Sequence, residues 1–318
     1  MRTMDQVKVA VVQAGSVIMD KQGCIEKASK LLLEAGKNGA QLVVFPEAFI
    51  PCYPRGMGFG AVVGSRSLEG RKDYQRYWDN AIQVPSADTD ALGTAVKEAG
   101  VYCVIGVIEK DQDTSEGTVF CTALYFGPDG KLLGKHRKLK PTASERLIWG
   151  EGDGSTLKVI ETPFGRVGSL ICWENYMPLA RAAMYAQGIQ IYVAPTADSR
   201  DTWFATMRHI AIEGRCFVIG CNQYSSKSDY PEDIASRDEF KDLPEEMCRG
   251  GSCIVNPLGA FVVEPVIGKE TIIYADLDLG QVAQGQFDFD AMGHYSRPDV
   301  FQLIVNTKKK TNVIWQDQ

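Results

Sequence analysis

Val167-Gly168-Ser169-Leu170-Ile171-Cys172-Trp173-Glu174-Asn175 is followed by helical periodicity from Pro178 to Gln187 and by the apolar string Ile189 to Ala194. Strand, helix and strand in that order are one stretch of an alternation that runs along the chain. The first strand, read from Val167 to Trp173, carries a cysteine near its end. A rigid strand end of that kind holds one sulfur at a fixed place, where a scaffold puts a nucleophile. Two other strings share this character. Val43-Val44-Phe45-Pro46-Glu47 closes an apolar strand with a carboxylate, and His136-Arg137-Lys138 places cations after a turn at Gly130.

Outward from that unit the alternation continues in both directions. Val7 to Gln13 reads as a buried strand, Gly23 to Gly36 as an amphipathic helix, Gln41 to Pro46 as a strand, Asp88 to Ala99 as a helix and Tyr102 to Ile108 as a strand. Thr118 to Phe126 and Lys131 to Gly134 flank Pro128-Asp129-Gly130, a hairpin signal. Trp203 to Glu213 reads as a helix with Phe204, Met207, Ile210 and Ala211 on one face, and Cys216 to Asn222 as a strand. Ser252 to Val255, Phe261 to Val263 and Thr271 to Leu277 follow, the first two joined by the turn Pro257-Leu258-Gly259. Hairpins late in the chain argue against a purely parallel barrel. Two mixed sheets packed face to face and covered by helices use this many strands, an α/β architecture in a single domain spanning 1–318 with a short tail from about 304. Two stretches break the pattern. Cys52 to Tyr77, rich in glycine and aromatics, reads as a structured loop. Ser225 to Arg249, with eight acidic and four basic residues, reads as a surface excursion, an interface or a lid.

Composition narrows the functional classes. Hydrophobic residues make up 45% and charged residues 23% of the 318-residue chain, as in an ordinary globular protein. With 34 Lys+Arg against 40 Asp+Glu the net charge is −6, which gives no global attraction to nucleic acid or to an anionic membrane. Lys308-Lys309-Lys310 reads as a solvated tail. The nine cysteines are odd in number and none forms a CxxC pair, so reduced thiols and a cytoplasmic location are expected, with no metal site. The opening Met1 to Gln6 lacks the apolar stretch of a signal peptide, and no run of 18 apolar residues follows.

A thiol, a carboxylate able to take its proton and an ammonium able to favour the thiolate together make an acyl-transfer site. Glu47 in FPE, Lys138 in HRK and Cys172 in CWEN, in that order, resemble the Glu-Lys-Cys triad of the nitrilase superfamily, carbon–nitrogen hydrolases with an αββα sandwich fold. Glu145 in PTASERLIWG matches the family's second, positioning glutamate. GEGDGSTLKVIETPFG, PTADSRDTW, HIAIEGRCFV and GHYSRPD resemble plant-type nitrilases that use aromatic nitriles, and the similarity runs from about Val7 to about Val305. Ser169 departs from the Gly, Ala or Gln usual in relatives. The resemblance implies that Glu47 deprotonates Cys172, that Cys172 attacks a nitrile carbon, and that Lys138 with backbone N–H near Trp173 stabilises charge on nitrogen. It also implies hydrolysis through thioimidate and thioester without a cofactor. Glu145 then holds Lys138 and the substrate nitrogen.

Tyr53, Trp173, Pro195 and Thr196 adjoin the triad strand ends and are the candidate acyl-pocket residues. Glu174 reads as orienting the turn after the cysteine, with a catalytic carboxylate as the alternative. His209 reads as a core or surface histidine against a Cys–His partner, and Trp149 and Trp203 as packing. The implied substrate is an aromatic, arylaliphatic or cyanoalanine-type nitrile. An amidase or N-carbamoyl hydrolase, a cyanide hydratase and a non-catalytic scaffold are the competing readings. Nitrilases of this kind form dimers that extend into spirals through insertions, here matched by Cys52 to Tyr77 and Ser225 to Arg249. In the second, Tyr230, Ile234, Phe240, Leu243 and Met247 are expected to supply the apolar contact between subunits.

Overall fold

The computed structural model describes residues 6–113, 115–314 and 316; Met1 to Asp5 of the opening string and the end of the expected tail lie outside the described residues. The first half of the chain runs β1 (Gln6–Gln13), α1 (Lys21–Lys37), β2 (Leu42–Val44), the small hairpin β3 (Ala61–Val62) and β4 (Ser65–Arg66), then α2 (Leu68–Asp79) and α3 (Ala87–Ala99). β5 (Tyr102–Lys110), β6 (Val119–Phe126) and β7 (Leu132–Arg137) complete it. The second half runs β8 (Val159–Thr162), β9 (Gly165–Ser169), α4 (Pro178–Tyr185), β10 (Ile191–Thr196), α5 (Asp201–Gly214) and β11 (Phe217–Asn222). It closes with β12 (Tyr224–Ser226), β13 (Glu246–Val255), β14 (Phe261–Ile267), β15 (Thr271–Asp278) and α6 (Gly280–Gln286).

One sheet has the order β15-β1-β2-β5-β6-β7 and the other β12-β13-β11-β10-β9-β8, with β14 on β13. Both are mixed. β1, β2 and β5 are parallel and β9, β10 and β11 are parallel, while hairpins add the antiparallel strands. The chain's last strand returns to the first sheet, pairing antiparallel with β1 from Gln6↔Asp278 to Gln13↔Thr271.

Burial on both faces explains why the central strands read as unbroken apolar runs rather than alternating ones. In β1, Val7, Val9 and Val11 enter the core between the sheets, where Ile191 and Val193 of β10 meet them. Ala10 and Val12 face the other way, among Ile25, Ala28 and Leu32 of α1 and Leu92 and Val96 of α3. Tyr192 and Ala194 likewise face Met184 of α4 and Met207 and Ile210 of α5. The result is four layers, helices on sheet on sheet on helices. The helix ends follow from local chemistry: Asp20 caps α1 by accepting from Gly23 N–H at 2.9 Å, and Gly100 closes α3 at φ +68°.

Three expectations are corrected. The strand before the cysteine ends at Ser169, and Cys172–Tyr176 forms a 3-10 turn instead. Cys52 to Tyr77 is not all loop, because Ser67 caps α2 by accepting from Gly70 N–H at 3.0 Å. Ser225 to Arg249 is bound to the body of its own chain. Tyr230, Ile234, Phe240 and Met247 are buried in the inter-sheet core cluster with Leu243 packed against it, so they supply no free apolar face. Buried Asp73 of α2 holds this segment by accepting from Ala235 N–H at 2.9 Å and Ser236 N–H at 2.8 Å. Among the described residues no helix is long and apolar enough to cross a membrane.

Candidate active site

Glu47 lies just beyond β2. Phe45 N–H makes a last bond to Val104 O at 2.8 Å before the chain turns away. Ala48 then takes φ +50°, and Gln223 Nε2 donates to Glu47 O at 2.8 Å, tying the turn to the second sheet. Gly106 of β5 makes this close turn possible, because a Cβ there would fall 2.2 Å from Pro46 O and 2.8 Å from Glu47 Cα.

Lys138 follows β7. Its N–H donates to Cys121 O of β6 and its O accepts from Gly152 N–H, each at 2.8 Å. The ammonium is fully buried between two carboxylates, with Nζ 2.7 Å from Glu47 Oε1 and 2.7 Å from Glu145 Oε2. Trp149 presents its ring 5.4 Å away. Glu145 sits in the 3-10 turn Ala143–Leu147. It also accepts from Thr142 N–H at 2.6 Å and from the Tyr53 hydroxyl at 2.8 Å. The positively charged nitrogen is therefore held in place from two sides.

Cys172 opens its turn with φ +52°. Side chains, rather than a sheet ladder, capture the backbone here. Buried Glu174 accepts from Ile171 N–H and Leu139 N–H, both at 2.6 Å, and contacts His136 Nε2 at 3.0 Å. One carboxylate thus grips the residue before Cys172 and the residue after Lys138, which sets their spacing. Asn175 Nδ2 donates to Leu170 O and Cys172 O at 2.8 and 2.7 Å. The Thr196 hydroxyl at the end of β10 donates to Cys172 Sγ at 3.2 Å. Glu174 has the orienting geometry expected of it.

The candidate pocket residues divide. Tyr53 and Thr196 touch Glu145 and Cys172. Pro195 pairs in register with Cys221, on the strand face that Ile191 and Val193 turn toward the inter-sheet core. Trp173 is 39% exposed; its indole N–H donates to Asp198 Oδ2 at 2.9 Å, under the Arg200 guanidinium at 4.9 Å. Trp203 is buried packing. His209 is exposed on α5, 3.7 Å from Glu213. Sequence reasoning missed Cys121, whose Sγ donates to Glu47 Oε1 at 3.6 Å, along with Gln223 and Asp198. β6 is buried along its whole length, so no alternation marks which side Cys121 faces.

Burial and charge act together on this cluster. Burial pushes the Glu47 carboxyl up and Lys138 pulls it down, with the upward effect winning. Burial and the Glu47 charge push the Cys172 thiol well up against Lys138 and Thr196. The ammonium does favour the thiolate, as expected, and burial with the Glu47 charge outweighs it. Lys138 is raised well above the usual lysine range, because Glu47, Cys172 and Glu145 outweigh the burial that opposes its charge. Glu47 Oε2 is buried without a hydrogen-bond partner, yet Cys172 lies near enough to act on the Glu47 carboxyl. The arrangement offers a carboxylate with one unpartnered oxygen, a thiol close enough to act on that carboxylate, and an ammonium fixed on its other oxygen. No group of three or more His, Cys, Asp or Glu among the described residues is placed to hold a metal ion.

The carbon-nitrogen hydrolase family model matches residues 8–286. The chain is 53% identical over 312 residues to an aliphatic nitrilase of Sinorhizobium fredii (strain HH103), covering 98% of this chain and 99% of that protein. It is 51% identical over 303 residues to the bifunctional nitrilase/nitrile hydratase NIT4A of Lupinus angustifolius, covering 94% and 86%. In fold it is similar to Saccharomyces cerevisiae Nit3, a member of branch 10 of the nitrilase superfamily, with a TM-score of 0.71 at 22% identity over 93% of this chain and 98% of that one. With the αββα layers and this match over most of its length, the chain belongs to the carbon-nitrogen hydrolase family, the nitrilase superfamily.

Proposed function

We propose that this protein is a nitrilase that converts an organic nitrile and two waters to a carboxylic acid and ammonia. The observation that carries the reading is the Lys138 ammonium clamped at 2.7 Å between Glu47 and Glu145, with the buried Cys172 thiol beside it on a positive-φ turn. Glu47 takes the thiol proton as Sγ attacks the nitrile carbon, and that proton ends on the nitrile nitrogen, giving a thioimidate. Attack and proton transfer go together, since the thiol is protonated at rest. Lys138 stabilises the charge that builds on nitrogen, in a water-poor site where a fixed donor is worth most. A water activated by Glu47 adds, the C–N bond breaks and ammonia leaves, so that a thioester is left on Cys172. A second water releases the acid and restores the thiol. Glu145, braced by Thr142 N–H and Tyr53, orients the ammonium.

If the tetrahedral intermediate expels sulfur before ammonia, the product is the amide. The bifunctional name of the lupin relative supports amide as a second product here. The name of the Sinorhizobium relative adds aliphatic nitriles to the aromatic, arylaliphatic and cyanoalanine types as candidate substrates. The test is a nitrile panel with acid, amide and ammonia all quantified, alongside phenylacetonitrile against phenylacetamide. Ammonia from nitriles with acid as main product is expected; turnover of the amide alone would make the protein an amidase.

The protein is also read as a homo-oligomer of dimers that extend into a spiral. The apolar hairpin β3–β4 supports this, because Val62, Val63 and Leu68 beside it are 67%, 103% and 71% exposed. Nine free buried cysteines accord with a reducing, cytoplasmic setting.

A further inference from the structure

A second thiol touches the proposed base. Cys121 is buried in β6, and its Sγ donates to Glu47 Oε1 at 3.6 Å. The same residue's carbonyl accepts from Lys138 N–H at 2.8 Å, so it contacts both the base and the strand end that carries the ammonium. Oε1 accepts from Lys138 Nζ as well, at 2.7 Å. Oε2 of the same carboxylate is buried with no hydrogen-bond partner. We propose that Cys121 is a positioning residue for the base: its S–H, with the Lys138 ammonium, pins Oε1 and leaves Oε2 as the oxygen that takes the Cys172 proton. The inference rests on the reading of Glu47 and Cys172 given above.

The physical reason is that a carboxylate gripped at one oxygen by two donors does not swing, and its lone pairs there are engaged. The ungripped oxygen keeps its basicity and its aim. A thiol is a weak donor, so it fixes the group while neutralising little of its charge. Burial keeps Cys121 protonated, hence always a donor. The titratable groups facing Glu47 are Lys138 after β7, Glu145 in its 3-10 turn, Cys172 on its turn, Tyr53 in the loop after β2, and Cys121 on β6. Removing the Cys121 donor takes stabilisation from the carboxylate form, so the Glu47 pKa rises further and the acid limb of activity moves to higher pH.

The test uses the full chain with Cys121→Ala and Cys121→Ser. Cys253→Ala is the control, since Cys253 is equally buried but packs among the helices covering the second sheet. Two pH profiles are read, kcat/KM for a nitrile and the rate of Cys172 alkylation by iodoacetamide. Cys121→Ala is expected to lower kcat about tenfold or more with KM within about twofold, and to move both acid limbs up by about half a pH unit or more. Cys121→Ser, which retains a donor, brings the limbs back toward the wild type; Cys253→Ala leaves them in place. Cys121→Val fills the space without a donor and takes the place of Cys121→Ala should that variant not fold. Limbs unmoved in the donor-less variant, or a kcat loss no larger than that of Cys253→Ala, would overturn the proposal. A wild-type protein that neither hydrolyses nitriles nor alkylates at Cys172 would instead remove the reading of the site on which it rests.

Discussion

Cys172 keeps its proton at rest because burial and the neighbouring Glu47 charge both oppose a thiolate, against Lys138 and Thr196. Its reactivity toward reagents therefore depends on Glu47 taking the thiol proton as the sulfur attacks. Cys172 is 4% exposed, whereas Cys103 and Cys248 are 2% and the other six less. Iodoacetamide should label Cys172 first, and Cys172→Ala should abolish nitrile hydrolysis with the fold intact. Peptide mapping that found Cys52 or Cys253 labelled first, with Cys172 inert, would count against the site. As the proposed base Glu47 has to be ionised, and its pKa is raised from the ordinary 4.5. As pH falls through that raised value the base is protonated, so kcat/KM should decline on a limb centred above 4.5 rather than at it. Glu47→Gln should remove the limb together with the activity. Lys138→Ala should cost about a hundredfold or more in kcat, and Lys138→Arg should not rescue it, because a planar guanidinium does not fit the slot between two carboxylates. More than about a tenth of wild-type turnover in Glu47→Gln or Lys138→Ala would refute these roles.

At the scale of elements, the site is placed by close approaches between strands and turns. Gly106 of β5 lies under the Glu47 turn, and a Cβ there would meet Pro46 O, Ala48 N and Glu47 Cα at 2.2, 2.6 and 2.8 Å. All three are backbone atoms, so the turn itself has to move. Gly106→Ala should destabilise the protein by about 1–3 kcal/mol and lower kcat about tenfold or more through displacement of the base. Denaturant unfolding and kinetics on the same preparation check this, and wild-type values in both would show that the turn yields freely. Glu174 plays the matching part on the other side, joining the Cys172 turn to the end of β7 through Ile171 and Leu139 N–H.

For the whole molecule, the question is which surfaces are left for assembly. The Ser225 to Arg249 segment spends its apolar residues inside its own chain, and Tyr230 hydroxyl donates to Arg55 O at 2.8 Å beside the Tyr53 loop. Deleting Ser228 to Asp242 would therefore strip the core rather than report on oligomer size. The β3–β4 hairpin is the cleaner probe, since Val62 and Val63 are exposed and carry no core packing. A Val62→Asp, Val63→Asp double variant should give smaller particles in light scattering with turnover per chain preserved. A wild-type protein that is strictly monomeric and fully active would end the assembly reading.

Local chemistry made much of the protein legible from its sequence. Apolar runs, glycine turns and helical periodicity mark the alternation of strands and helices, because each depends on neighbours a few residues away. The strings around Glu47, Lys138 and Cys172 stand out for the same reason, each carrying its candidate residue at or just past an element's end, whereas Glu145, inside its 3-10 turn, is marked by the family resemblance alone. The tertiary structure alone decided what depends on partners distant in the chain. Lys138 meets Glu47 across 91 residues and Tyr53 meets Glu145 across 92. The turn at Cys172 replaces an expected strand end because Glu174 takes the N–H of Leu139, 35 residues earlier. Cys121 faces Glu47 from a strand buried on both sides, where periodicity carries no sign of direction. The apolar residues of 225–249 turn inward because the inter-sheet core and Asp73 receive them, and no local pattern distinguishes an inward apolar residue from one that awaits another subunit.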